Sequence, residues 1–275
     1  MSLHDVWIFT PDFESDTAVI DALYHSYGAH SRIGIDILSP IMALPGTSGL
    51  MANYYDRAKR EAVERANQQL AEVEAFCDLQ GIDLPLRTTV VSERDIYRTA
   101  ALWAQCSDLN VIPGAALGTL GGRSGNMLVE MLIFASGRPL LLQPTPARAD
   151  HRHAAFAWSG KREAVVALAG AVATLPHLAR VTLVRIGGKL PAMPDGTDMM
   201  HAMKSYLCRR VPEVDVYTEP SINFIGDALQ DAALAVSADI LIMGAYGHSR
   251  VRENVLGGAT RSILDHPRLP VLLAH

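Results

Sequence analysis

The chain has 275 residues, enough for about two domains of ordinary size. Apolar residues make up 49%, charged residues 19%, and the formal charge is −5 with a pI near 6.0. No basic field is present to hold nucleic acid. Cys77, Cys106 and Cys208 are too few and too scattered for a disulfide framework or a C-x-x-C metal site. The amino terminus lacks a basic n-region, and no apolar run reaches the ~18 residues of a membrane span. A cytoplasmic protein, with neither nucleic acid nor membrane as partner, is the expectation.

In chain order, Val6–Phe9 reads as a strand, and "DTAVIDALYHSYG" as a helix closing at Gly28. "RIGIDILSP" is a second strand and 52–79 a long amphipathic helix. "LRTTVV", "DLNVIP" and "RPLLLQP" complete the strands, with "RDIYRTAALWAQC" a helix among them. The second half reads the same way. Its strands are "HAAFAW", "RVTLVRIGG", "VDVYT", "DILIMG" and "PVLLAH"; its helices are "KREAVVALAGAVATL", "TDMMHAMKSYLCRR", "FIGDALQDAALAVS" and "TRSILDH". Alternating strands and helices specify a parallel α/β sheet with crossover helices.

The halves are a duplication. Asp108 to Pro139 and Asp239 to Pro270 both span 31 residues, a constant offset of 131, whereas Asp12 aligns with Ser159 at an offset of 147. The difference, 16, places a longer connection in the first half. The boundaries follow as residues 1–145 and 152–275, joined through "QPTPARADHRH". In that linker His151 and His153 flank Arg152; lacking partners in the sequence, they read as a solvated pair and not a metal site.

"GAYGHSRVRENVLGGAT", 244–260, follows a buried-strand pattern and spends four glycines in seventeen residues. The spacing is G-x2-G-x9-G at Gly244, Gly247 and Gly257, with Gly258, Ala259 and Thr260 opening a helix. Parallel sheets bind ligands at the carboxyl ends of their strands, where free N–H groups and the helix dipole favour anions. A strand-to-helix turn that binds nothing would also use such glycines. His248 lies inside the loop beside Arg250 and Arg252; it suits an exposed position or a phosphate contact equally.

This segment resembles the universal stress protein family, in particular its tandem two-domain members, and the resemblance extends more loosely over nearly the whole chain. It implies two open parallel five-stranded sheets with flanking helices, and ATP, with magnesium as its companion, held across the strand tips of the second domain. Carried over by position, Gly244, Gly247 and Gly257 would line the phosphates together with Gly258, Ala259, Thr260 and His248. Ile186 would sit by the adenine, and Ala157 to Ser159 by the nucleoside. It further implies pairing through the fifth strands, here within one chain, with room for a homodimer.

Two positions depart from the family's pattern. Gly258 stands where the family has Ser or Thr, and Ser159 where it has an acid. The first half keeps none of the motif glycines: offset 131 puts Pro113, Ala116, Asn126, Met127 and Val129 there. Pro113 has no N–H to offer, and Met127 and Val129 bring bulk where phosphate would go. Asp12 reads as a helix cap, and the glycine-rich 114–126 as a loop over a vacated site. Catalytic signatures such as G-x4-G-K-[ST], G-x-S-x-G and H-E-x-x-H are absent from the sequence. A regulatory nucleotide-binding protein is the reading, with an interaction module of the same fold as its alternative.

Overall fold

A computed structural model describes residues 5–28, 31–42, 50–114, 116, 122–144, 150–187, 190, 193–220, 224–245 and 258–275. The chain divides into two compact units, one running from Leu3 to Arg138 and the other comprising Pro139–Pro144 and Arg148–His275.

The first unit contains β1 (Asp5–Thr10), α1 (Phe13–Tyr27), β2 (Arg32–Leu38), α2 (Leu50–Gln80), β3 (Leu86–Thr89), α3 (Glu93–Ala104), β4 (Leu109–Pro113) and α4 (Gly122–Ser136). Its strands run in the order β3-β2-β1-β4, all parallel. Strands sandwiched between helices must be apolar on both faces, and β2 and β4 are buried at nearly every position. The helices show the 3.6-residue period: α3 buries Ile96, Tyr97, Ala100, Ala101 and Ala104, and α2 buries Ala58, Ala62, Ala66, Val73 and Cys77.

Across the β2–β3 pair, Asp36 is fully buried opposite Arg87. The guanidinium donates to Asp36 Oδ2 at 2.9 and 2.7 Å, and Thr89 Oγ1 donates to Oδ1 at 2.7 Å. Arg87 also lies between the Trp7 and Trp103 rings, 4.3 and 4.2 Å from their centroids. Burial raises the Asp36 carboxyl above its ordinary value, and the Arg87 and Thr89 donors oppose it.

The second unit contains β5 (Leu140–Gln143), β6 (His153–Ala157), α5 (Arg162–Thr174), β7 (Arg180–Ile186), α6 (Met199–Leu207), β8 (Glu213–Glu219), α7 (Ile225–Ala235), β9 (Ile240–Gly244), α8 (Gly258–Asp265) and β10 (Val271–Ala274). Its strand order is β5-β10-β9-β6-β7-β8. All pairs are parallel except β5 with β10, which run antiparallel with Leu141 opposite Leu272. The offset read from the sequence recurs in the strands: β4 and β9, and β5 and β10, start and stop 131 positions apart.

Three expectations need correction. His151 and His153 are not solvated: they are 2% and 9% exposed. His153 is satisfied on both sides, Nε2 by the Thr182 hydroxyl at 2.8 Å and Nδ1 by the Ser237 carbonyl at 3.2 Å. Neither ring nitrogen of His151 has a hydrogen-bond partner among the described residues, and burial lowers its pKa to about 4, against a smaller pull from Asp239 and Asp150. Asp12 stands at the N-cap of α1, yet its side chain accepts from the Ser15 hydroxyl at 2.8 Å and caps no backbone N–H. The glycine-rich stretch is a loop only in part, since from Gly122 onward it is helix α4. Its residues 115 and 117–121 lie outside the described residues.

Asp16, fully buried on α1, accepts from the Thr10 hydroxyl at 2.6 Å through Oδ2, while Oδ1 has no partner. Desolvation raises its pKa to about 7, the Thr10 bond opposing and Asp12 adding to the rise.

The two buried groups make stability depend on pH in opposite senses. Between about 4 and 7 the folded state holds a proton on Asp16 that the unfolded chain releases, so this contribution is complete below the unfolded value of 3.8 and is lost as pH rises through 7. At 1.36 kcal/mol per unit the span is about 4 kcal/mol. Asp16→Asn should be more stable than the parent at pH 8 and should flatten that dependence, as read by urea melts between pH 4 and 8. For His151 the unfolded chain takes up a proton below 6.5 and the folded one resists to about 4. Stability therefore falls on acidification through this window, by about 3 kcal/mol. His151→Leu should abolish the acid-side loss in the same melts.

Candidate functional site

The carboxyl ends of β6, β7 and β9 open on a pocket of about 470 Å³. This lies within the roughly 300–1,000 Å³ of small-molecule sites. Seven of the residues expected from the sequence line it: Ala157, Ser159, Ile186, Gly244, Gly258, Ala259 and Thr260. Gly247, His248 and Gly257, with Arg250 and Arg252, lie outside the described residues.

Local chemistry explains how these residues come together. Backbone pairing runs one residue past β6, with Trp158 N donating to Val184 O at 2.9 Å, and β7 continues to Ile186, two residues beyond the Val184 that faces Ala157. Gly160 then turns the chain at φ +72°, a conformation costly for any residue with a Cβ, and α5 begins. Gly244 closes β9 directly beneath this first turn. A Cβ on Gly244 would stand 2.5 Å from the carbonyl carbon of Glu163 and 2.6 Å from the amide nitrogen of Ala164. The glycine is therefore required by helix-on-strand packing, a reason independent of phosphate.

Gly226 plays the same part between α7 and α8, where a Cβ would meet the Ala259 carbonyl oxygen at 2.5 Å. The two helices are further tied by Ser262 Oγ to Asp227 Oδ1 at 2.6 Å, by Gln230 Nε2 to the His266 carbonyl at 3.2 Å, and by Arg268 N to Gln230 Oε1 at 2.8 Å. Gly258 differs from both: among the described residues, outside its own helical turn, no atom lies within 4 Å of the place its Cβ would take. A side chain can stand there, which is the position where the resembling family carries a hydroxyl.

Trp158 falls within the expected Ala157 to Ser159, and the remaining lining was not anticipated. Trp158, Val184, Leu229 and Met243 form an apolar floor, and Phe224, Ile225, Lys161 and Ser262 contribute to the wall. Phe224 is 72% exposed, an aromatic face standing free at the start of α7. The general rule that ligands gather at strand carboxyl ends could have found the 224–226 segment, because "FIG" opens the helix after β8. Lys161 follows Ser159 by two residues and was legible as a neighbour, but not as a wall.

The electrostatics of the pocket favour an anion. The first residues of three helices line it: α5 through its N-cap Lys161, α7 through its N-cap Phe224, and α8 through Gly258. Neither Lys161 nor Phe224 caps its helix with a side-chain hydrogen bond. Leading amide N–H groups of these helices, lacking intrahelical acceptors, carry the positive end of each dipole. Among the described lining residues Lys161 is cationic and none is a carboxylate. These features fit a phosphorylated ligand with an apolar or aromatic portion. Magnesium is usually held by one or two carboxylates plus phosphate oxygens; the described lining supplies no carboxylate, and the described residues contain no cluster of three His, Cys, Asp or Glu side chains able to hold a metal.

In the first unit the equivalent positions are filled differently. Pro113 and Ala116 are buried, Val129 is buried as Thr260 is, and Met127 is 45% exposed in the place of exposed Gly258. Met127 thus puts its bulk at an open position and Val129 in the core.

No protein-family model matches the sequence, and no curated protein matches it significantly. Solved structures do. A universal stress protein from Archaeoglobus fulgidus DSM 4304 matches 98% of this chain and 97% of its own, at 16% identity and a TM-score of 0.68. A functionally unknown protein from Pseudomonas aeruginosa PAO1 matches 99% and 92%, at 12% identity and a TM-score of 0.53. A universal stress protein candidate from P. aeruginosa UCBPP-PA14 matches 99% and 93%, at 14% identity and a TM-score of 0.52. Over nearly its whole length, therefore, the chain has the α/β fold of the universal stress protein structures.

Proposed function

We propose that the chain is a stress-response binding protein whose second unit takes an adenine nucleotide as a regulatory ligand. The observation that carries this reading is the pocket at the tips of β6, β7 and β9, onto which three helix N-termini and seven of the expected residues converge. Val184 and Ile186 offer an apolar wall for the base, and Gly258 to Thr260 present backbone N–H groups for the phosphates. The described lining offers magnesium no carboxylate, so any magnesium that enters with a nucleotide would be held by phosphate oxygens alone. The nucleotide acts as a conformational ligand and not as a substrate: it stabilises whichever state of the protein binds it better, and so changes the surface a protein partner meets. The site of action is the cytoplasm, and among the described residues no helix is long and apolar enough to cross a membrane.

One observation favours a second reading, an interaction module that acts without nucleotide. Gly244 is needed for packing whether or not a phosphate is ever present. Isothermal titration of the full chain with ATP, ADP and AMP at high protein concentration separates the two. Heat of binding with any of them supports the nucleotide reading, and none with all three leaves the interaction module.

Two glycine substitutions probe the same pocket. Gly258→Ser meets no atom of the described residues within 4 Å and adds a hydroxyl; one hydrogen bond at about 0.5–1.5 kcal/mol should tighten nucleotide binding up to about tenfold. Gly244→Ala forces α5 away from β9, so it should lower stability by about 1–3 kcal/mol and weaken binding together with it. Thermal melts alongside the titrations give both readouts.

A further inference from the structure

We infer that Lys161 is the residue that sets how many phosphates the pocket holds, supplying the positive charge that a divalent cation would otherwise bring. The inference rests on the nucleotide reading and goes beyond it, because neither the glycine spacing nor the resemblance assigns Lys161 a role.

Four observations lead to it. Lys161 lines the pocket. It is the N-cap of α5, so its backbone stands at the positive end of that helix. The first turn of α5 packs so tightly over Gly244 that the Ala164 amide nitrogen would lie 2.6 Å from a Cβ there, which sets the base of Lys161 at the edge of the glycine-bearing strand end. Finally, the turn is neutral at Ser159, and the described lining has no carboxylate. An acid in this turn would attract a metal ion to the phosphate chain or repel a bare one. A serine and a lysine do neither; they favour the bare polyanion directly.

The chemistry defines the ligand class. Each added phosphate brings negative charge into a wall holding one ammonium, a helix N-terminus at α5 and another at α8. A charge-assisted hydrogen bond from an ammonium contributes roughly twice a neutral one, so a phosphate chain long enough to meet Lys161 as well as Gly258–Thr260 gains more than one held by backbone amides alone. The pocket therefore ranks ATP above ADP above AMP, and the ranking does not need magnesium.

The test compares the unaltered chain with Lys161→Met and Lys161→Arg, titrated with ATP, ADP and AMP in magnesium and in EDTA. Circular dichroism melts confirm that both variants fold. The unaltered chain should bind ATP at least tenfold more tightly than AMP in EDTA, and the gap should narrow as salt rises. In Lys161→Met the gap should close while AMP affinity changes less than threefold; Lys161→Arg should keep most of it. An ATP-to-AMP ratio that Lys161→Met leaves unchanged overturns the inference, as does a ratio seen only with magnesium. Should the unaltered chain bind no adenine nucleotide, the nucleotide reading fails by itself. Inorganic tripolyphosphate then decides on Lys161: binding lost in Lys161→Met sustains the role, and equal or absent binding in both chains removes it. The salt dependence of the unaltered chain needs no variant and gives an independent answer if Lys161→Met does not fold.

Discussion

The second unit is organised by how closely α5 can approach the end of β9. A helix resting on a parallel sheet normally stands off by the thickness of its side chains, yet here the backbone of Glu163 and Ala164 comes 2.5 and 2.6 Å from where a Cβ on Gly244 would be, well inside van der Waals contact. That approach brings the N-terminus of α5 level with the strand tips, beside the starts of α7 and α8. The pocket is what remains between three helix beginnings that the packing has drawn together. Its apolar floor and donor-rich rim are both consequences: the floor is the end of a sheet core, and the rim is the set of amides that a helix start leaves without intrahelical acceptors.

Two of the site glycines that look alike in sequence thus do different work. Gly244 has no alternative because the volume is already taken, and Gly258 has no such neighbour among the described residues. Only the arrangement of α5 over β9 distinguishes them, and that arrangement depends on contacts between residues about eighty positions apart. Spacing could mark both as belonging to the pocket and could not say which one the fold itself demands.

Other parts of the molecule were legible for equally physical reasons. Strands buried on both faces announce themselves as unbroken apolar runs, so β4, β9 and their order along the chain followed from "DLNVIP" and "DILIMG". The constant offset of 131 fixed the correspondence between the halves before any geometry was known. The histidines of the linker were misread because nothing local signals burial there. The polar run "ARADHRH" has the composition of a solvated connection, yet His153 begins a central strand and His151 is enclosed just ahead of it. Lys161 was visible as a residue but not as a wall, since its place depends on where α5 starts relative to α7, which no local pattern records. Asp16 and His151 show the same limit from the energetic side: each halves' buried ionisable group is held against its preferred charge by enclosure, and enclosure is a tertiary property.

The pairing of β5 with β10 bears on how the gene product can be divided. β5 precedes the linker in the chain, but its hydrogen bonds run to the last strand, Leu141 facing Leu272 along a fully buried leucine-rich seam. A fragment cut at the connecting segment would retain β10 and lose its neighbour, baring a row of main-chain donors and acceptors set among leucines, the kind of margin along which polypeptides aggregate. Severing the molecule at its apparent joint would leave one piece with an open seam, and a clean separation would have to carry residues 139–144 across the cut.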